Sequence, residues 1–314
     1  MWRSLSRNGF GFINSFDGLL CKDAESISNL DHSPALIIAS DYSGQQKGSD
    51  FEAYALLIIG AQGWSQWEIS RLEIRKLFKV GKRRVSFKGL TDKRKRNMLQ
   101  AWLTAADQLA GLCVTILVSK NIKSVFVDDG EFDFDDPNLQ LYSHFKNKTH
   151  VFEKLLRIAH FVSFFVAGLS RPGQDVLWFT DQDDIAANDD YVIRLTETWG
   201  NILSHYLLHD LRHIRCGTTK CDSGDLQIED LASIPDLVAG ASVELVNRLG
   251  SMLSSKLMVP QPRELSQKSK IISAWLINSR VPLKKLVYLI EEEHESRALS
   301  VKHVGLHNTA VLTG

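Results

Sequence analysis

Three groups of carboxylates stand where the sequence changes character. Ala35–Ala39 is an apolar run too short for an independent helix, and it reads as a strand buried on both faces. Asp41 follows at once, then the turn pair Ser43-Gly44. A second run of the same kind, Asp175–Thr180 (DVLWFT), leads directly into Asp181, Asp183 and Asp184. A third acid, Asp236, stands at the start of a predicted helix from Ile234 to Leu253. If the two strands are neighbours, Asp41 and Asp181 converge on one rim of a sheet, where open α/β folds place ligands. The helix then brings in Asp236. Converging carboxylates repel one another and call for a divalent cation, and oxygen ligands suit Mg²⁺ or Mn²⁺. Two such ions roughly 3.5–4 Å apart activate a water and stabilise the leaving oxygen of a phosphodiester.

Each acid also has a plainer reading. Asp41 can simply begin a turn. Ser233-Ile234-Pro235-Asp236 has the S-x-x-D spacing of a capping box, which would make Asp236 a helix cap. One strand end cannot aim Asp181, Asp183 and Asp184 at a single point; Asp181 is favoured as a ligand by its place directly after the strand, with Asp184 second.

Charge is sorted along the chain although 37 basic and 37 acidic side chains cancel overall. Between Arg71 and Arg96 stand twelve basic residues, opposed only by Glu73 and Asp92. A local excess of this kind creates a positive field suited to a phosphate backbone. Lys82, Arg83, Arg84, Lys88, Lys93, Arg94, Lys95 and Arg96 are the candidate nucleic-acid contacts; a solvated basic face is the alternative. Phosphate contacts position without reading bases, so no sequence preference follows.

The elements that must position these groups alternate between strand and helix, an α/β pattern with a largely buried sheet. Residues 1–34 show no clear periodicity and read as an irregular N-terminal arm. The domain then runs over 35–259. Glu52–Gly60 is a second strand, joined to the first by a loop short enough to favour antiparallel pairing. Trp64–Phe78 is a helix, Arg84–Phe87 a short strand, Asp92–Leu109 a helix with Thr91 as N-cap, and Cys113–Val118 another buried strand. An insertion around 120–172 holds an acidic loop (Asp128, Asp129, Glu131, Asp133, Asp135, Asp136) and a helix over Val151–Leu169. Tyr191–Leu208 is a helix and Leu211–Cys216 a strand. A C-terminal extension, 260–314, follows Pro260-Gln261-Pro262, with a helix around Ile271–Asn278 and a strand at Leu286–Ile290.

Taken together, Asp41-Tyr42-Ser43-Gly44, the pair Phe87-Lys88, Asp181 and Asp236-Leu237-Val238-Ala239-Gly240 resemble a widespread bacterial family of unknown function. That family is marked by an N-terminal D-E-S-G and regarded as ribonuclease H-like. The resemblance covers about residues 35–245. It implies a ribonuclease H-like mixed β-sheet flanked by helices, three antiparallel strands first, and a metal-dependent nuclease-like site. Asp41, Asp181 and Asp236 would be its ligands, and Lys88 a phosphate anchor or a partner orienting the carboxylates. Two positions depart from the pattern: Tyr42 replaces the motif glutamate, and Ser86 stands where an acid is common. Glu52 is a substitute ligand if its strand faces the right way. The reading is therefore a Mg²⁺- or Mn²⁺-dependent phosphodiesterase acting on DNA or RNA. Its alternatives are an inactive nucleic-acid- or partner-binding subunit and a nucleotide-sugar glycosyltransferase, whose D-x-D strand end LWFTDQDD resembles.

His205, His209, His213, Cys216 and Cys221 offer a weaker zinc pattern, spoiled if the helix ends before His213. Four scattered cysteines, no apolar stretch of signal-peptide length at the N-terminus and no segment long enough to span a bilayer make a cytoplasmic protein without a membrane partner the expectation. A protein partner is left open.

Overall fold

The acid-bearing strand β1 (Ala35–Ser43) pairs on one side with β2 (Phe51–Gly60) and on the other with β4 (Asp175–Thr180). In the computed structural model, which describes residues 2–5, 11–127, 131–136, 139–249, 258–260, 264–278, 281–293 and 298–307, they belong to a seven-stranded mixed sheet. The other members are β3 (Gly111–Ser119), β5 (His213–Thr218), β7 (Leu283–Glu292) and β8 (Leu299–His303), in the order β5-β4-β1-β2-β3-β7-β8. β1–β2–β3 form an antiparallel meander, while β4 and β5 run parallel to β1. β7 lies parallel to β3, and β8 closes that edge antiparallel. A separate two-stranded pair joins β6 (Met258–Pro260) to β9 (Gly305–His307). The α/β class, the antiparallel first hairpin and the adjacency of the two acid-bearing strands all match the expectation.

Helices cover both faces, which is why β3 is buried along all but its last residue. One face carries α4 (Thr149–Leu169) and α5 (Asp189–Tyr206), packed on Leu36, Ile38, Tyr54 and Leu56. The other carries α2 (Trp64–Leu77), α3 (Lys93–Ala106), α6 (Gln227–Leu249) and α7 (Gln267–Ile277), packed on Ile37, Ala39, Ala53 and Leu57. Successive residues of a strand alternate between faces, so β1 divides its side chains between two separate cores. No helix among the described residues is long and apolar enough to cross a membrane.

Several local expectations are corrected. The N-terminal arm contains α1 (Gly11–Asp23), whose Ile13, Phe16 and Leu20 fall on one helical face and are buried. Phe16 packs edge-on to Tyr288 of β7 at 5.1 Å. Trp2 packs against Phe164 at 5.0 Å with the rings tilted by 53°, and its indole N–H donates to Asp17 at 2.9 Å. Arg84–Phe87 is irregular chain, leading into a short 3₁₀ turn at Lys88–Thr91. Asp92, not Thr91, caps α3, accepting from the backbone N–H groups of Arg94 and Lys95; a carboxylate is the stronger cap there. The extension after 260 supplies α7, β7 and β8 to the main body. Asp128, Asp129, residues 250–253 and the linker residues Gln261 and Pro262 lie outside the described residues.

Candidate active site

β1 continues to Ser43, so Asp41 is a strand residue, paired with Ala55 of β2, and not the first residue of a turn. By alternation it shares the α6 face with Ile37 and Ala39. Ala39, Ala53 and Ala55 are small, which lets α6 lie close over this part of the sheet. Asp41 is only 9% exposed, and its side chain makes no hydrogen bond or ion pair with any other described residue. Burial, then the neighbouring Asp236, then Asp181, push its carboxyl well above the usual carboxylate range.

Asp236 comes from within α6, nine residues past its start at Gln227. The capping-box reading is thus overturned. Ser233 donates to the Asp230 carbonyl at 2.6 Å and accepts from Trp102 Nε1 at 3.0 Å, leaving no box. Asp236 Oδ2 instead accepts from the backbone N–H of Phe87 at 2.5 Å. One turn further on, a Cβ on Gly240 would stand 2.4 Å from the Phe87 ring. Glycine at that position is what admits the ring. Lys268 closes the other side, its Nζ 3.7 Å from the ring centroid and donating to the Phe87 carbonyl at 2.9 Å. Burial raises the Asp236 carboxyl to about 6, although the Phe87 N–H and the nearby Arg84 pull the other way.

The acids after β4 diverge. Asp181 Oδ1 is 2.9 Å from Arg84 Nη2 and accepts the backbone N–H of Gln182 at 2.9 Å. Asp183 is held by Lys154 of α4 and caps the backbone N–H of Ile185, yet remains within electrostatic reach of Asp41. Asp184, the second choice from sequence, lines a cavity of about 680 Å³ on the α4 face together with Glu52, Lys120 and Arg157. The structure therefore brings together Asp41, Asp181 and Asp236, and does not bring Asp184 to them. A D-x-D pair aimed at one point is absent among these residues, since Asp181 turns to Arg84 and Asp183 to Lys154.

Glu52 does not fill the missing position. It lies on the face of β2 that carries Tyr54, where it accepts from the Tyr54 hydroxyl at 2.6 Å and pairs with Arg157 at 3.2 Å. Tyr42, at the motif's glutamate position, is on that same α4 face, hydrogen-bonded to Ser40 at 2.7 Å and to Thr180 at 3.1 Å. Ser86 Oγ accepts the backbone N–H of Gly89 at 3.1 Å. Lys88 is exposed, with its charge in electrostatic reach of Asp236.

The basic segment splits into structural and free cations. Arg71 and Arg75 are buried and converge on the fully buried Asp230 of α6. Arg83 pairs with Asp92 at 2.5 Å, Lys95 donates to the Arg84 carbonyl at 2.5 Å, and Arg94 donates to the Lys79 carbonyl at 3.3 Å. Lys76, Lys79 and Lys82 make no side-chain hydrogen bond or ion pair with described residues. They line a groove of about 710 Å³ between α2 and the turn at Gly224–Leu226. Lys88 reaches the carboxylates electrostatically, and Lys93, Arg94 and Arg96 are exposed on the first turn of α3, but Arg71 and Arg75 are buried away from this surface.

Sequence reasoning missed Glu229, Arg84's ionic role, and the Phe87–Gly240–Lys268 packing. Arg84 Nε is 3.0 Å from Glu229 Oε2, so one guanidinium spans Asp181 and Glu229. Among the described residues no three His, Cys, Asp or Glu side chains already stand in metal-holding geometry. His209 Nε2 lies 3.0 Å from Ser170 Oγ, His213 Nδ1 lies 2.9 Å from the Arg212 carbonyl, and burial raises the Cys216 thiol to about 12. Compared with known proteins, the chain matches no family model and no curated sequence.

Proposed function

We propose that the chain is a metal-dependent phosphodiesterase of ribonuclease H-like architecture, acting on DNA or RNA. The observation that carries this reading is Asp41, a buried carboxylate whose side chain has no hydrogen-bond or ion-pair partner among the described residues, beside a second, half-buried carboxylate on α6. An unpaired buried charge is costly unless a counter-charge or a proton is supplied. The strand order, with a β1–β2–β3 meander followed by two parallel strands outside β1, supports the ribonuclease H-like assignment.

The donor set fits a hard cation, since every group is a carboxylate oxygen. Asp41 and Asp236 would hold the ion, with Asp181 completing the set once it leaves Arg84. Magnesium or manganese there would polarise the phosphodiester and lower the pKa of the attacking water. The protein's own part is to hold the ligands rigidly: Asp41 by the strand pairing of β1, and Asp236 by the Phe87 N–H. Lys88 would take a phosphate oxygen, and Lys76, Lys79 and Lys82 would attract the flanking backbone.

A second reading is favoured by a specific observation. Arg84 already neutralises Asp181, and Tyr42, Ser86 and Glu52 supply no further ligand, an arrangement that also suits a nucleic-acid-binding subunit without catalysis. Cleavage of labelled single- and double-stranded DNA and RNA, with Mn²⁺ or Mg²⁺, separates the two. Metal-dependent cutting that disappears in Asp41→Asn supports the nuclease. Binding without cutting in both proteins supports the subunit.

A further inference from the structure

Arg84 differs from the other buried or half-buried arginines of its segment. Arg75 reaches both oxygens of Asp230 from Nε and Nη2, and Arg71 adds a contact from Nη1. These three side chains are desolvated and locked together, Arg71 and Asp230 having no exposed side-chain surface. The Arg84 side chain is 44% exposed and touches two different carboxylates through one nitrogen each, Nη2 to Asp181 at 2.9 Å and Nε to Glu229 at 3.0 Å. Glu229 Oε2 is buried yet accepts no properly angled hydrogen bond, so that contact is ionic only. Half-exposed, single-point ion pairs contribute little and exchange readily.

The backbone around Arg84 belongs to neither helix nor strand. It is anchored on both sides of the side chain, by Lys95 on the Arg84 carbonyl and by Asp236 on the Phe87 N–H. The guanidinium can therefore swing while its Cα stays beside the carboxylates. Its guanidinium lies against Asp181 and Glu229, while Lys82, two residues earlier in the chain, lines the groove along α2. A guanidinium there matches phosphate oxygens as well as it matches carboxylates.

We propose that Arg84 is an exchangeable cation: it occupies Asp181 and Glu229 in the free protein, yields Asp181 to a divalent metal ion, and then binds a phosphate of the nucleic acid. This rests on the metal-dependent reading above and adds a phosphate ligand coupled to metal entry. A protein with this device binds metal and polyanion with positive coupling, because each removes a competitor of the other.

The test measures Mn²⁺ affinity by titration calorimetry, and affinity for a fluorescent oligonucleotide with and without Mn²⁺. The proteins are the wild type, Arg84→Gln, Arg84→Lys and Asp41→Asn. Arg84→Gln is expected to bind Mn²⁺ roughly two- to fivefold more tightly, the scale of a half-exposed ion pair. The same variant should lose the Mn²⁺-induced gain in oligonucleotide affinity. Arg84→Lys, which keeps the charge but cannot span two acids, should fall between. Unchanged or weaker Mn²⁺ binding in both Arg84 variants, with binding abolished in Asp41→Asn, would overturn the exchange while leaving the metal site intact. Mn²⁺ binding indifferent to Asp41→Asn would overturn the metal site itself, and the exchange with it.

Discussion

Replacing Asp236 by asparagine removes the cost of burying an ionised carboxylate near Asp181 and Asp41. The Asp236 carboxyl is raised from 3.8 to about 6, a shift of about 2 units, and at about 1.36 kcal/mol per unit the ionised form costs folding roughly 3 kcal/mol. The folded chain holds this proton more tightly than the unfolded one does. This contribution to stability is therefore fully present below about pH 4 and is lost as pH rises through about 6. Asparagine keeps a carbonyl oxygen for the Phe87 N–H and offers an amide donor towards Asp41. In EDTA at pH 8, Asp236→Asn should accordingly be more stable than wild type by about 1–3 kcal/mol, or ~2–4 °C for a chain of this size. At pH 4, where Asp41 and Asp236 are both protonated, the gain should shrink towards zero. Urea unfolding followed by tryptophan fluorescence at the two pH values reads the difference. A variant less stable than wild type at pH 8, or a gain equal at both pH values, would refute the argument that the two acids oppose each other in the absence of metal.

Gly240→Ala would drive a methyl group into the Phe87 ring and should cost about 1–3 kcal/mol; denaturation of this variant and of a Phe87→Ala double mutant should show the cost relieved in the pair. Asp230→Ala leaves Arg71 and Arg75 buried without their counter-charge and should lose about 3–5 kcal/mol, measured by thermal unfolding. Replacing Lys76, Lys79 and Lys82 together by alanine should leave the fold intact and reduce the salt dependence of oligonucleotide binding by about one logarithmic unit per phosphate contact removed, read from affinities across a salt series. Glu52→Gln should leave Mn²⁺ affinity unchanged, because Glu52 lies on the opposite face of the sheet from Asp41; a loss comparable with that of Asp41→Asn would contradict the assigned geometry.

What could be read ahead of the structure depended on how locally each feature is encoded. The two acid-bearing strands were visible because an apolar run buried on both faces has few alternatives, whereas their adjacency stood only as a condition, since strand order depends on pairing between distant segments. Asp236 was found, but its local role was misread: S-x-x-D spacing marks a helix start only when no earlier turn precedes it, and here the helix begins nine residues upstream. The close approach of Gly240 to the Phe87 ring joins segments that lie far apart in the sequence, so no local signal names its partner. Arg71 and Arg75 look like Lys76 and Lys79 in sequence. What separates them is Asp230, more than 150 positions away, and only the docking of α2 against α6 joins them. The helix in the N-terminal arm was hidden by its glycines, serines and asparagines, although Ile13, Phe16 and Leu20 carry the period.

The pairing of β7 with β3 has a consequence for how the chain comes into being. The β3 strand is largely apolar and buried along all but its last residue, and one of its two hydrogen-bonding edges is satisfied by residues 283–290. During synthesis more than 160 residues must follow β3 before that edge can close. Until then the nascent protein carries an open, apolar strand edge, the kind of template on which chains pair with one another. A fragment ending at residue 259 should keep every carboxylate of the candidate site and yet be prone to aggregation. A segment made long after β3 is thus the one that seals this edge, and expression of forms shortened before it should fail by self-association before any question of chemistry arises.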